Sequence, residues 1–217
     1  MQRLSRKLAL RLGVALHGVE AGVAQATLPR FASSAPGLVI QLPRQILNPG
    51  RIHIGRDVKL GPGSVLRAMD AYPGGWLEHP EGRHRSQTFA GEVHIGDRVS
   101  ATSALQLIAH ERITVEDEVM FAANVFLCDG LHGYERGDLP YKYQGIFRVA
   151  PITVGYGSWL GQNVVVMPGV NIGKLAVVGA NSVVTQDIPP QTIAAGAPAR
   201  PIRRWDAASE RWQDARG

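Results

Sequence analysis

Cysteine, aromatic residues and long apolar runs are scarce in this chain of 217 residues, and each scarcity excludes a class of protein. The single cysteine cannot form an internal disulfide, and without a CxxC or Cys/His ligand spacing it argues against a structural zinc site. The longest apolar stretch, near Leu8 to Leu28, is interrupted by Arg11, His17 and Glu20, so no membrane-spanning helix is predicted. We therefore expect a soluble protein of a reducing compartment, the cytoplasm.

Charge is also limited, and neither sign dominates the chain. Lys and Arg number 23 against 18 Asp and Glu, which gives a formal net charge of +5 and a pI near 9.7. That balance permits an anionic partner, but aromatic residues make up only 6% of the chain and dense cationic runs are confined to its two ends. A nucleic-acid partner is therefore not expected.

Glycine and proline are plentiful by comparison. The 25 Gly and 14 Pro recur between short apolar runs, a composition that disfavours both a helical bundle and a disordered chain. The length favours one moderately large domain. The sequence therefore predicts short strands joined by tight turns.

Aliphatic residues recur with a period of six, the most informative feature of the chain. The period holds without a slip from Val154 to Val184, and a slip of two residues near Glu111 and Arg112 interrupts an earlier series. Glycine often follows the aliphatic residue, as at Gly161. The series are Ile54, Leu60 and Leu66; Ile95, Ala101 and Leu107; Val115, Phe121 and Leu127; and Val154, Leu160, Val166, Ile172, Val178 and Val184.

An even period places all of these side chains on one face of an extended chain, because successive residues of a strand point to opposite faces. On an α-helix, six residues would rotate the chain by about 240°, and each glycine would cost roughly 1 kcal/mol. Short strands with a turn every six residues must instead wind into a coil whose rungs stack about 4.8 Å apart. The repeat therefore predicts a β-solenoid with the aliphatic ladder inside.

With this period the chain resembles the hexapeptide-repeat acyltransferases over roughly residues 50 to 203. The segment from Ile152 to Arg203 is the most specific part, and it is similar to the closing coils of O-acetyltransferases that act on polysaccharide and lipopolysaccharide. Galactoside and maltose acetyltransferases are broader relatives. The resemblance implies an all-β fold, a left-handed parallel β-helix with three sides of six residues per turn, and a homotrimer with its active sites between subunits.

The period divides the chain into three parts: a helical segment over residues 1–35, a β-helix over 36–190 with loops at about 70–91 and 129–150, and a tail over 191–217. The first 20 residues carry leucines at helical spacing, four cations and no acid before Glu20. A transit peptide, a membrane-surface helix and a cap over the first rung all fit this pattern. We favour the cap, because an uncovered rung exposes unpaired strand edges.

The irregular segment 129–150 interrupts clean hexads, and a long excursion inside a regular solenoid points to function. It contains His132, in the sequence CDGLHGY, where the O-acetyltransferases carry a histidine before glycine. Imidazole has a pKa suited to removing a hydroxyl proton near neutrality. We therefore predict that His132 is the general base.

Two neighbours of His132 could share its chemistry. Asp129 could hold one imidazole tautomer by accepting a hydrogen bond from it, or could serve only the turn before Gly130. Cys128 could carry an acyl group, but free cysteines are usually buried and structural, which is the interpretation that we favour. Strand alternation turns His53 and His94 outward. Three convergent histidines could hold a metal ion, as in the γ-class carbonic anhydrases, but their ligand pattern is not apparent here, so no metal is expected and a metal site is the minor alternative.

The resemblance also implies the acyl donor, acetyl-coenzyme A, whose pantetheine arm needs an apolar groove and whose phosphates need cations. Guanidinium groups suit phosphate geometry. By this resemblance Trp159 and Gly161 line the groove beside the thioester, Ala180 and Thr185 contact the arm, and Arg200 and Arg203 contact the phosphates.

The acceptor is the least determined partner. Galactoside-type relatives place an asparagine in the coil where this chain has Thr102, Ser103 and Ala104, which puts that acceptor in doubt. Tyr134 and Arg148 are candidate sugar contacts. The resemblance implies O-acetylation of a saccharide for a surface polysaccharide. N-acylation of a nucleotide-linked amino sugar and a non-catalytic β-helix scaffold are the alternatives.

Overall fold

The computed structural model describes residues 2–73 and 77–215 of the chain. One helix, α1 (Gln2–Ala26), precedes a three-sided column of short parallel strands. Each coil of the column contributes one strand to each of three sheets in turn, here called faces A, B and C. The hexads of the sequence thus form a parallel β-helix, as predicted.

Each face consists of in-register parallel strands from successive coils. Face A contains β1 (Ser33–Ser34), β4 (Ile52–Ile54), β9 (Glu92–Ile95), β12 (Arg112–Val115), β17 (Ile152–Val154) and β20 (Asn171–Ile172). Face B contains β2 (Val39–Ile40), β5 (Lys59–Leu60), β10 (Ser100–Ala101), β13 (Met120–Phe121), β18 (Trp159–Leu160) and β21 (Val177–Val178). Face C contains β3 (Gln45–Leu47), β6 (Val65–Ala68), β11 (Gln106–Ala109), β14 (Phe126–Cys128), β19 (Val165–Val166) and β22 (Val183–Val184).

The aliphatic ladder fills the column. On face A, Ile95, Val115 and Val154 lie in register on successive coils, and all three are buried. A second buried residue lies two positions before many members of the ladder, such as Val164 before Val166, because alternate residues of a strand share a face. Many strands therefore contribute two inward-facing residues to the core of the column.

Glycine follows many members of the ladder because neighbouring coils approach closely at the corners of the column. A Cβ atom added at Gly61 would lie 1.8 Å from the carbonyl oxygen of Thr102 on the next coil. At another position of this B-to-C corner, in later coils, Asn124, Asn163 and Asn181 adopt positive φ angles near 58°. Their side chains are joined by hydrogen bonds of 3.3 and 2.8 Å, so asparagine suits both the turn and the stack.

Two hairpins interrupt the coils. The first pairs β7 (Ala71–Tyr72) with β8 (Gln87–Thr88), and the second pairs β15 (Leu131–His132) with β16 (Ile146–Phe147). Short 3-10 helices occupy Pro49–Arg51 and Tyr141–Tyr143.

Different elements cover the two ends of the column. The C-terminal end of α1 contacts the first coil, where Ala24 and Phe31 are buried. At the other end, β23 (Thr192–Gly196), β24 (Ala199–Asp206) and β25 (Arg211–Asp214) extend face B. Coil pairing therefore begins at residue 33 and continues through β23, slightly beyond the 36–190 range predicted from the sequence. Among the described residues, no helix combines the length and the apolar character that crossing a bilayer requires.

Candidate active site

Both hairpins leave the column at the corner where face C passes to face A. The β7–β8 hairpin lies between β6 and β9, and the β15–β16 hairpin lies between β14 and β17. A tight corner at residues 110–111 separates them, at the position of the slip in the hexads. Stacking thus brings two segments that are distant in sequence to the same edge of the column.

The two hairpins are joined by hydrogen bonds into one unit, here called the corner lobe (residues 70–73, 77–91 and 129–150). The Gln87 side chain donates to the carbonyl oxygen of Ile146 at 3.0 Å and accepts from the Ile146 N–H at 2.6 Å. The Arg85 N–H donates to the carbonyl oxygen of Tyr143 at 2.9 Å. The Tyr72 hydroxyl donates to the carbonyl oxygen of Lys142. The conformation of each hairpin therefore depends on the other.

His132 lies on β15, paired with Ile146 of β16, and its side chain is exposed. The Tyr72 ring meets the imidazole edge-on, with 5.4 Å between ring centroids. Within residues 2–73 and 77–215, no hydrogen bond occupies the nitrogen atoms of His132. The imidazole is therefore held by the hairpin and by Tyr72, with both nitrogens available to a docked molecule.

Asp129 does not orient His132, contrary to one of the two predicted roles. Its carboxylate is fully buried and accepts hydrogen bonds from the backbone N–H groups of His110 at 2.6 Å, Glu111 at 2.8 Å and Arg112 at 2.8 Å. The His110 Nδ1 lies 3.1 Å from the same carboxylate. The tight corner presents N–H groups that would otherwise be buried without partners, and the carboxylate of the next coil satisfies them.

Asp129 nevertheless affects the position of His132, because it lies at the base of the second hairpin. Its carbonyl oxygen accepts from the Ala150 N–H at 2.9 Å, so the first and last residues of the insertion are joined. Next to it, a Cβ at Gly130 would lie 2.8 Å from the His110 Nδ1. Asp129 and His110 thus fix the base of the hairpin that carries His132.

Cys128 has the environment of a structural residue, as predicted. Burial raises the pKa of its thiol to about 11, and the neighbouring Asp129 carboxylate acts in the same direction. The thiol donates to the Gly130 carbonyl oxygen at 3.0 Å. A thiol with this pKa is protonated near neutrality and is therefore a poor nucleophile.

The two predicted sugar contacts lie just beyond the two strands of the same hairpin, Tyr134 after β15 and Arg148 after β16. Tyr134 is exposed and meets the Phe147 ring edge-on at 6.0 Å between centroids. The Arg148 guanidinium lies 5.8 Å from the centroid of the same ring. Both side chains therefore flank Phe147 on the corner lobe.

Trp159 lies on the outer side of face B and is 46% exposed. It stands in register between Met120 and Val177, and the register continues through Ile193 to Arg203. These five residues are here called the face B row. Met120 and Trp159 are exposed, Val177 and Ile193 are half-buried, and Arg203 is exposed, so the row is a partly exposed apolar strip that ends at a guanidinium group.

The other predicted donor residues are distributed around the column. Gly161 is buried, and a Cβ there would lie 2.7 Å from the backbone nitrogen of Ala180, so coil stacking explains its identity. Ala180 is exposed at the corner between faces B and C. Thr185 is exposed after β22, on face C, and Arg200 is exposed on β24 beside the face B row.

Sequence reasoning missed His110, Tyr72 and Gln87. The only signal for His110 was its place beside the slip in the hexads, and Tyr72 and Gln87 lie in the 70–91 loop, whose role was unassigned.

In the part of the chain that the structure describes, no cluster of His, Cys, Asp and Glu side chains could hold a metal ion. His53 and His94 stack on the outer side of face A with 4.4 Å between their centroids.

Comparison with known proteins finds acetyltransferases among the relatives of this chain. A family model described as the hexapeptide repeat of succinyl-transferase matches residues 151–186. The chain is 36% identical to galactoside O-acetyltransferase of Escherichia coli K12 over 64% of its own length and 66%, about two thirds, of that protein. It is 31% identical to a putative lipopolysaccharide biosynthesis O-acetyl transferase, WbbJ, of the same organism, over 82% of this chain and 84% of the relative.

Solved structures show the same fold. A mutant of AntD, an N-acyltransferase from Bacillus cereus in complex with dTDP and coenzyme A, superposes with a TM-score of 0.64 at 20% identity, over 82% of this chain and 87% of that one. A galactoside acetyltransferase in complex with coenzyme A gives a TM-score of 0.53 at 25% identity, over 86% and 71%. The predicted fold class, a left-handed parallel β-helix with an N-terminal helix and an inserted loop, is confirmed.

Proposed function

Because this chain belongs to the hexapeptide-repeat acetyltransferases, we propose that it transfers an acetyl group from acetyl-coenzyme A to a hydroxyl group of a saccharide. The observation that carries the proposal is His132, an exposed imidazole held on a paired hairpin beside an otherwise regular column. Relatives named as O-acetyltransferases support the reaction type.

The face B row supports the choice of donor. Met120, Trp159 and Val177 offer an apolar strip to the pantetheine arm, and Arg203 offers a cation at the end of the strip. Arg200 adds a second guanidinium on β24. Coenzyme A in complexes of fold neighbours supports the same donor. Arginine suits the phosphates of the donor because its planar group binds two oxygens at once.

His132 performs the proton transfer in the proposed step. The acceptor hydroxyl oxygen attacks the thioester carbonyl carbon while the imidazole takes the hydroxyl proton. The carbon–sulfur bond then breaks, and the imidazolium returns the proton to the leaving thiolate, so that coenzyme A departs as the thiol. No acyl-enzyme intermediate is needed, in agreement with the raised pKa of Cys128.

The site is proposed to lie between copies of the chain. Within one chain the corner lobe leaves at the corner between faces C and A, whereas the face B row lies on another side of the column and Ala180 lies at the corner between faces B and C. One copy would thus supply His132 and another would supply the face B row. A homotrimer in the cytoplasm, acting in surface polysaccharide synthesis, is the assembly and setting that we propose.

N-acylation of a nucleotide-linked amino sugar is the second candidate. The structural likeness to AntD favours it, since that neighbour is an N-acyltransferase in complex with a nucleotide. An amine can replace the hydroxyl in the same step, because it also loses a proton to the base as the amide forms.

The test is incubation of the purified chain with acetyl-coenzyme A and a panel of sugars that carry hydroxyl groups alone or an added amine. Mass spectrometry of the products should show one acetyl group on a sugar that has no amine. Acetylation confined to amino sugars would establish the second candidate instead. A folded chain that binds no coenzyme A in calorimetry would support a non-catalytic scaffold and contradict both.

A further inference from the structure

The N-terminal helix leaves an apolar face without a partner on its own column. Leu16 is 68% exposed, Val19 is 64% exposed and Val23 is 47% exposed. Residues at this spacing share one face of a helix, here called the apolar stripe. In the sequence the same spacing continues back through Leu12 and Leu8, and the helix is about 37 Å long.

The contact between α1 and the column does not use this stripe. Ala24 is buried, and it lies about 100° around the helix from Val23. A groove of about 500 Å³ opens between the helix and face B, lined by Ala21, Ala24 and Val39 among others. The C-terminal part of the helix thus contacts the first coil through Ala24 and exposes Leu16, Val19 and Val23.

We propose that α1 binds the surface of an anionic membrane, lying in the interface with this stripe among the acyl chains. The choice of occupant rests on charge. Arg3, Arg6, Lys7 and Arg11 precede the first acid of the chain, Glu20. An amphipathic helix with cations on or beside its polar side has the composition of an interfacial helix, and anionic lipid headgroups complement those cations.

A second copy of the chain fits the same face less well. Parallel pairing of two such helices would bring their four N-terminal cations together, with Glu20 as the only acid to offset them before residue 26. Like charges at close range are destabilising. This inference does not depend on the proposed acetyl transfer, because binding to a membrane can be measured without a substrate.

The test is sedimentation of the full chain with vesicles of phosphatidylcholine alone and of phosphatidylcholine mixed with phosphatidylglycerol. The chain should bind the mixed vesicles at least about tenfold more tightly, since each cation near an anionic surface contributes about fivefold. Added salt should weaken that preference.

Two variants separate the apolar and the charged contributions. The double substitution Leu16→Gln with Val19→Gln should weaken binding to the mixed vesicles at least about tenfold, because it removes two aliphatic groups from the buried stripe. Arg11→Gln should weaken it about fivefold. Leu175→Gln, at an exposed site near the other end of the column, is the matched control and should bind as the unchanged chain does. Circular dichroism checks that each variant is folded.

Three outcomes would overturn the proposal. The unchanged chain could bind neither kind of vesicle, it could bind both equally, or the double variant could bind as well as the unchanged chain. A loss of oligomeric mass in the double variant, without vesicle binding by the unchanged chain, would assign the face to a second copy.

Discussion

At the scale of single residues, Asp129 shows which features of the site can be predicted from the sequence and which cannot. The sequence marked it as a polar group beside the insertion, and the residue does stand at the base of the hairpin that carries His132. Its partner was missed because contact with His110 arises from coil stacking, across 19 positions. The hexads give the length of a regular turn, but they do not show which N–H groups a slipped corner leaves without sheet partners.

Asp129→Asn should destabilise the chain by about 2–4 kcal/mol, because an amide cannot accept three backbone hydrogen bonds as the carboxylate does. The free energy of unfolding in urea measures the effect. Asp70→Asn is the control, since Asp70 is exposed at the next C-to-A corner towards the N-terminus from residues 110–111, at the start of the first hairpin, and should lose little. Equal losses in the two variants would contradict the capping role of Asp129.

His132 could be predicted because the resemblance marks its place, yet its surroundings could not. Tyr72 meets the imidazole from a hairpin that lies 60 positions earlier in the chain. The irregular sequence of that hairpin contains no period from which its position could be read. Residues that act through contacts between two irregular segments are therefore the part of the site that sequence reasoning misses.

At the scale of elements, the corner lobe depends on one side chain that joins two hairpins. Gln87→Ala removes both hydrogen bonds to Ile146, the residue paired with His132. We expect kcat/KM for acetyl transfer to fall about tenfold, as a lost pair of positioned hydrogen bonds would cause. The melting temperature should change little, because the two hydrogen bonds that are lost lie within the corner lobe and not between coils.

Thr88→Ala is the matched control for Gln87→Ala. Thr88 is the next residue of β8, and its side chain is exposed. Hydrogen exchange provides a second measurement, since the amides of residues 131–147 should exchange faster in the Gln87 variant alone. Unchanged exchange and unchanged kcat/KM would show that the two hairpins are positioned independently.

The coils themselves were predicted well, since an aliphatic residue every six positions determines the inward face of each strand. Close packing of their corners was not predicted in detail. Gly61→Ala should destabilise the chain by about 3 kcal/mol, because the added methyl group overlaps a carbonyl oxygen of the next coil. Gly50→Ala adds a methyl group with no neighbour within 4 Å and should cost far less. Thermal unfolding of both variants measures the two losses of stability. Equal losses would show that close packing between coils does not require glycine at position 61.

At the scale of the whole molecule, the separation of His132 from the face B row predicts complementation between copies. Subunits with His132→Ala and subunits with Trp159→Ala should each be impaired as pure oligomers. Co-expression should restore part of the acetyl transfer, because some sites then combine an intact imidazole with an intact face B row. Light scattering should give three times the chain mass of 23.4 kDa for all three preparations. Activity no greater than the mean of the pure variants would place the whole site within one chain.

For the N-terminal helix, the sequence-based prediction accounts for only part of what the structure shows. The sequence favoured a cap over the first rung, and the end of α1 does contact that coil. Three aliphatic residues before that end, Leu16, Val19 and Val23, are exposed. A cap needs only a few buried residues, so a helix of 25 residues is longer than capping requires.

The central claim is that the imidazole of His132 removes the proton of the acceptor, and the rate of coenzyme A release tests it most directly. With acetyl-coenzyme A and an accepted sugar, His132→Ala should be slower than the unchanged chain by about 10²- to 10⁴-fold. Its melting temperature and its affinity for coenzyme A should be unchanged, and His53→Ala, which alters a half-buried histidine on the outer side of face A, should keep the full rate. Full activity in a folded His132→Ala variant would contradict the account.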